Sequence, residues 1–112
     1  MKHLCLVLTE PVPGKEAQFD DYYENLHLDE VLTSTGWKSA QRFVLKDQVG
    51  RECPLPYLAL YEVDADDPAD VIRTMNETRA QRQQSDSLNK RTAAVWVFAE
   101  TGPVHRRRAP SE

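Results

Sequence analysis

Glycine is scarce in this chain, four in 112 residues. Gly14, Gly36, Gly50 and Gly102 stand too far apart to build a phosphate loop or a dinucleotide fingerprint. No nucleotide is expected from such a sequence, and no other cofactor either. Cysteine is scarcer still: Cys5 lies in an apolar run and Cys53 in a proline-flanked loop. That spacing suggests neither metal nor redox chemistry, leaves a disulfide open, and suits a cytoplasmic protein. The apolar LCLVL near the start lacks both the length of a membrane span and the cleavage site of a secretory signal. There is no serine elbow and no HExxH helix, which removes two common hydrolase plans. A basic excess is also missing, since the formal charge is −4, and nucleic acid needs a cationic face that releases counterions. The one basic cluster, Arg106-Arg107-Arg108, falls in a segment, 103–112, that reads as a solvated tail.

What remains is ordinary globular material, 40% hydrophobic and 29% charged, enough for one domain over residues 1–102 and too little for two lobes with a cleft between them. Any pocket therefore lies inside the fold or between subunits. His3 to Thr9 is apolar at nearly every position and predicts a central strand buried on both faces. Glu10 to Gly14, with two prolines and a glycine, ends it. Lys15 to Thr33 predicts a helix, stopped at Thr35-Gly36 by a left-handed cap. Strands are predicted at Trp37–Leu45, Tyr57–Asp64 and Thr92–Thr101, the first two joined by the long connection Lys46–Pro56. Asp66-Asp67-Pro68 opens a second helix, with an aspartate to cap and a proline at the first position. Its stripe of Val71, Ile72 and Met75 fades into the polar stretch Asn76–Arg91. The order β-α-β-β-α-β is the ferredoxin-like arrangement of the α+β class, a four-stranded antiparallel sheet with both helices on one face.

The first helix carries FDDYYENLHLDEVL, in which Tyr23, His27 and Val31 recur on successive turns of one face. At about 1.5 Å per helical residue and about 3.3 Å per strand residue, the helix is expected to bring His27 back to the level of His3. Alternation along the first strand places His3, Cys5, Val7 and Thr9 toward the helices and Leu4, Leu6 and Leu8 on the other face. That leucine face, with Trp96 or Phe98, is too large an apolar patch for a monomer and predicts a sheet-to-sheet homodimer.

Several residues together resemble the dimeric α/β-barrel superfamily, most closely its EthD-like branch: Tyr22-Tyr23-x3-His27-Leu28, Gly36-Trp37, Gln41-Arg42-Phe43 and Tyr57 through Glu62. The similarity runs over about residues 1–102. It departs at Asp29, where members often carry proline, and this alters the expected local helix ending. Lys2-His3-Leu4 is also similar to the first strand of plant-type polyketide cyclases, in which a strand histidine lines the pocket. The superfamily includes cofactor-independent monooxygenases, cyclases, isomerases, decarboxylases and dehydratases, and fold alone does not choose among them.

Imidazole titrates near neutrality, so His27 has a functional reading as general acid/base and a structural one as a hydrogen-bonded core residue. With the family motif added, the functional reading leads. Tyr23 or His3 is its expected companion, stabilising charge on a carbonyl oxygen; Tyr23 also reads as a core residue and His3 equally as an exposed residue at the strand start. Phe19, Cys5, Val7, Trp37, Tyr61 and Trp96 are expected to line the pocket. The expected activity is that of a cofactor-free lyase, isomerase or cyclase that removes a proton next to the carbonyl of a small apolar or aromatic compound. A cofactor-free monooxygenase is a close variant, and a non-catalytic ligand-binding or structural homodimer is the competitor. A metal set of His27, Glu30 and His3 is the sharper alternative and is not adopted. Arg42 and Glu62 are expected to pair across neighbouring strands. No nucleic acid or membrane partner is expected.

Overall fold

The computed structural model describes residues 1–109. Four strands, β1 (Lys2–Thr9), β2 (Ser39–Val44), β3 (Tyr57–Asp64) and β4 (Ala94–Ala99), form one antiparallel sheet in the order β2-β3-β1-β4. β1 is central, as its apolar run predicts. Helices α1 (Glu16–Tyr22) and α2 (Leu28–Thr35) are joined by a π-helical turn, Tyr23–His27, without leaving helical backbone. The pair makes one continuous helix, running straight through Asp29. Gly36 ends it in the left-handed region, φ 75°, where its N–H reaches the Leu32 carbonyl. The second helix, α3 (Pro68–Glu77), starts as its sequence predicts: the Asp67 side chain accepts the Ala69 N–H, and Pro68 occupies a first-turn position that needs no donor. Both outer strands are shorter than expected. Trp37 and Lys38 lie before β2, while Thr92, Ala93, Glu100 and Thr101 lie outside β4.

The helices cover one sheet face, and the core lies beneath them: Cys5, Phe19, Tyr23, Val31, Trp37, Ala59, Tyr61, Val63 and Val71 are all buried. Among the described residues, nothing covers the opposite face. Across it run Leu4, Leu6, Leu60, Leu58, Trp96, Phe98 and Phe43, which the register sets side by side. Trp96, Phe43 and Phe98 are 40%, 44% and 54% exposed there, a contiguous apolar area rather than scattered residues.

Strand alternation corrects the expected Arg42–Glu62 pair. Arg42 sits opposite Ala59 on the helix side, while Glu62 sits opposite Leu4 on the open side, so the two point to different faces. Arg42 instead bonds Asp20 at 2.9 Å and Glu24 at 3.0 Å and lies over the rings of Phe19, Tyr23 and Tyr57. Cys5 and Cys53 are both free thiols. From Pro103 to Ala109 the chain is irregular and exposed, while residues 110–112 of the expected tail lie outside the described residues. Among the described residues, no helix is long and apolar enough to cross a membrane.

Candidate functional site

A cavity of about 190 Å³ opens between the helices and the Thr9 end of the sheet. Val7, Thr9, Ala93 and Val95 form its floor, Tyr22, Tyr23, His27 and Val31 one wall, and Met75, Asn76, Arg79, Arg82, Gln84 and Leu88 the other. The second wall comes from the end of α3, the 3₁₀ turn Arg79–Gln81 and the irregular segment after it. That segment is fastened to the first helix by two bonds through Gln83. Its N–H donates to Glu30 Oε1 (3.0 Å), and its carbonyl accepts the Tyr22 hydroxyl (2.8 Å).

The π-turn shapes the catalytic candidate. In an α-helix, residues five apart lie about 140° apart around the axis and cannot meet. Widening the turn to i→i+5 bonding, with Leu28 N–H reaching the Tyr23 carbonyl, swings Tyr22 and His27 onto one side. Their rings stack at 4.8 Å, the edge of Tyr23 closes on His27 from 5.0 Å, and Tyr22 Oη lies 2.9 Å from His27 Nδ1. The single phenolic proton is directed to the Gln83 carbonyl, so Tyr22 accepts from Nδ1–H. Nε2 is thereby left as the free lone pair. No protein group bonds Nε2 among the described residues; the atom is not sealed, and the ring lines the cavity. Burial, then the nearby Arg82 charge, lowers the His27 pKa from 6.5 to about 4, so the ring is neutral at pH 7. Burial pushes the Tyr22 hydroxyl up to about 12 and raises Tyr61 further. For Tyr23, burial also raises the pKa, opposed by the Thr9 hydroxyl and Arg42. All three phenols thus remain donors.

Of the residues singled out from the sequence, His27, Tyr23, Val7 and Tyr61 line this cavity together. Phe19 and Cys5 lie in the core without reaching it; burial pushes the Cys5 thiol up to about 11 and makes it a poor nucleophile. Trp37 packs on Tyr61 at 5.4 Å and lines a separate cleft with Asp64 and Asp70. Trp96 pairs with Leu6 on the open sheet face, away from the cavity, because alternation puts it opposite Val95 and Val97.

His3 does not join His27. It is fully buried beside Val63 and Ala99, with Nδ1 3.2 Å from the Met1 carbonyl and Nε2 unpartnered among the described residues. The expected alignment fails because the helix starts beyond the strand end. Phe19 packs on Tyr57 at 5.0 Å and so lies level with Thr9, the partner of Tyr57. Eight residues of helix beyond Phe19 advance about 12 Å, whereas His3 is about 20 Å from Thr9. His27 therefore stops short of His3. The His27, Glu30, His3 metal set fails for the same reason, and among the described residues no three His, Cys, Asp or Glu side chains cluster as metal ligands.

Arg82 has no counterpart in the sequence reading. Only 8% exposed, it donates from Nη1 to Ser34 Oγ and Thr78 Oγ1 and from Nη2 to the Met75 carbonyl. Its place in a polar, aperiodic stretch gave no sequence signal of burial.

No protein-family model matches the chain, and no curated protein matches it. Among solved structures, the fold is similar to the crystal structure of an ethyl tert-butyl ether D (EthD) family protein from Bacillus halodurans C-125. That likeness has a TM-score of 0.59 at 14% sequence identity and covers 90% of this chain and 100% of the other. The two share the ferredoxin-like α+β fold.

Proposed function

We propose that the chain is a cofactor-free enzyme that removes a proton from carbon next to a carbonyl, as a lyase, isomerase or cyclase does. One observation carries the reading: Tyr22, which donates to the Gln83 carbonyl, lies 2.9 Å from Nδ1 of a cavity-lining His27, an arrangement that favours the neutral tautomer with an unprotonated Nε2. In this reading Nε2 takes the proton, and the charge that develops on the carbonyl oxygen meets the Tyr23 hydroxyl. The proton can then return to a different carbon or to a leaving group. Val7, Val31, Met75, Leu88 and Val95 supply the apolar walls that suit a small ring compound.

The uncovered sheet face supports a homodimer that packs sheet on sheet, and the free thiols fit a cytoplasmic setting. Trp96→Glu and Phe98→Glu are expected to yield monomers by light scattering at concentrations where the parent is dimeric; a parent that is itself monomeric contradicts the dimer.

The activity is tested by following deuterium uptake at the methyl group of acetophenone in D2O by NMR. The protein is expected to speed exchange and His27→Gln to abolish the acceleration while still folding. Unchanged exchange in folded His27→Gln contradicts the role of His27, and oxygen consumption during turnover would redirect the reading to a monooxygenase.

A further inference from the structure

Two arginine side chains are largely withdrawn from water, Arg82 in a buried residue and Arg42 with a side chain 9% exposed, and they are treated differently. Arg42 has two carboxylates, Asp20 and Glu24, at 2.9 and 3.0 Å. Arg82 has none: its three bonds go to two hydroxyls and a carbonyl, all neutral, and it joins no ion pair among the described residues. Glu30, the acid whose charge reaches it, makes no pair with it and accepts the Gln83 N–H instead. Removing a guanidinium from water without a counter-charge is costly, and neutral hydroxyls repay only part of that cost. A planar cation has five N–H donors, and three are used. Nε–H and one Nη2–H have no protein acceptor among the described residues, and Nε is not a sealed atom.

The surroundings point the same way. In a chain of net charge −4, the cavity beside Arg82 is lined by two arginines, one histidine and no acid. Arg79 adds its charge at the exposed mouth. The remaining polar lining, Thr9, Tyr22, Tyr23, Tyr61, Asn76 and Gln84, carries no negative charge that could substitute for a ligand's. Size sets the other limit. A cavity of about 150 Å³ holds one benzene ring, so about 190 Å³ accommodates a single ring with one small substituent.

We infer that the cavity takes a small organic anion, a single-ring compound carrying a carboxylate, with the carboxylate on the unused N–H donors of Arg82 and the ring between Val7, Val95, Leu88 and the tyrosines. This rests on the proposed reading of the cavity as a substrate site and narrows its substrate class. Arg82 is then a binding residue that anchors the anion while His27 addresses the other end of the ligand.

The test is calorimetric titration of the whole chain at pH 7 with benzoate and with benzamide, which has the same shape and no charge. Benzoate is expected to bind roughly tenfold or more tightly than benzamide, and Arg82→Gln to remove the difference. Because Arg82 also ties together Ser34, Thr78 and Met75, a second variant guards against loss of the fold. Asn76→Asp places a negative charge on the cavity wall at constant size, and is expected to weaken benzoate several-fold while leaving benzamide unchanged. Equal affinities for the two probes, no benzoate binding up to about 10 mM, or an Asn76→Asp variant that binds benzoate as the parent does overturns the inference. His27→Gln is expected to keep the preference for benzoate. If His27→Gln loses neither exchange nor benzoate preference, the proton-transfer reading fails and the anion site stands; if exchange depends on His27 while the two probes bind alike, the reverse holds.

Discussion

His3 and His27 lie against the same face of the same sheet, and each has Nδ1 hydrogen-bonded, yet they are chemically unlike. At the His3 end the ring is walled in, Nδ1–H is directed at the Met1 carbonyl, and Nε2 is sealed without a partner among the described residues. The His27 ring, short of that level, is clasped by two tyrosines and lines a cavity, and no protein group bonds its Nε2 among the described residues. Burial with one hydrogen bond is therefore common to both and explains neither. The difference is made by the π-turn, which creates the Tyr22–His27 bond, and by Arg82, whose segment walls a space that His3 lacks.

Swapping the two rings' fates is the strongest way to break that contrast. His27→Gln is expected to lower α-proton exchange by roughly a hundredfold or more, with a thermal midpoint within a few degrees of the parent. His3→Ala is expected to do the opposite, costing about 2 kcal/mol through the space left in a packed region. Exchange per folded molecule, read beside a urea melt, then stays unchanged. If both variants lose exchange in proportion to stability, the two histidines are alike after all.

Tyr22→Phe sharpens the contrast at the relay. It keeps the stacked ring, removes the acceptor for Nδ1–H and the donor to Gln83, and is expected to cost about 1 kcal/mol and roughly tenfold in exchange. A variant that loses stability without losing exchange would show that Tyr22 only fastens the Gln83 segment.

The most gradual effect is read in pH. His27 has its pKa lowered from 6.5 to about 4 in the folded chain, so between those values the unfolded chain takes up a proton that the folded one refuses. Stability from this group is complete above about pH 6.5 and is lost as pH falls toward 4, by at most about 3 kcal/mol and less where solvent reaches the ring. Urea midpoints measured across that window are expected to fall with acid in the parent and to flatten in His27→Gln. A slope that survives the substitution assigns the acid sensitivity elsewhere.

The element order was legible because each segment's period, cap and breaker agreed. β1 announced itself by an unbroken apolar run, and Asp67-Pro68 and Gly36 marked helix ends through local geometry alone. Which face of the helix carried His27 was also legible. Its level along β1 was not, since that depends on how far the Pro11–Gly14 turn carries the chain past the strand before helix begins. The π-turn was hidden as well, because the spacing of Tyr23, His27 and Val31 satisfies an ordinary helix. Arg82 was invisible for a plainer reason: the segment after α3 has no periodicity, and Arg82 folds back on Thr78 and Met75 to meet Ser34 of the distant first helix. The same limit misplaced Arg42, whose partners lie on the helix above and not on the neighbouring strand.

The claim that the π-turn makes His27 a free base is tested most directly by nitrogen-15 NMR of the histidine rings in the folded protein, titrated downward from pH 7. The expected spectrum has His27 neutral, protonated on Nδ1 and bare on Nε2, unchanged until the pH nears 4. A His27 ring that carries its proton on Nε2, or that becomes charged near pH 6.5, would contradict the account.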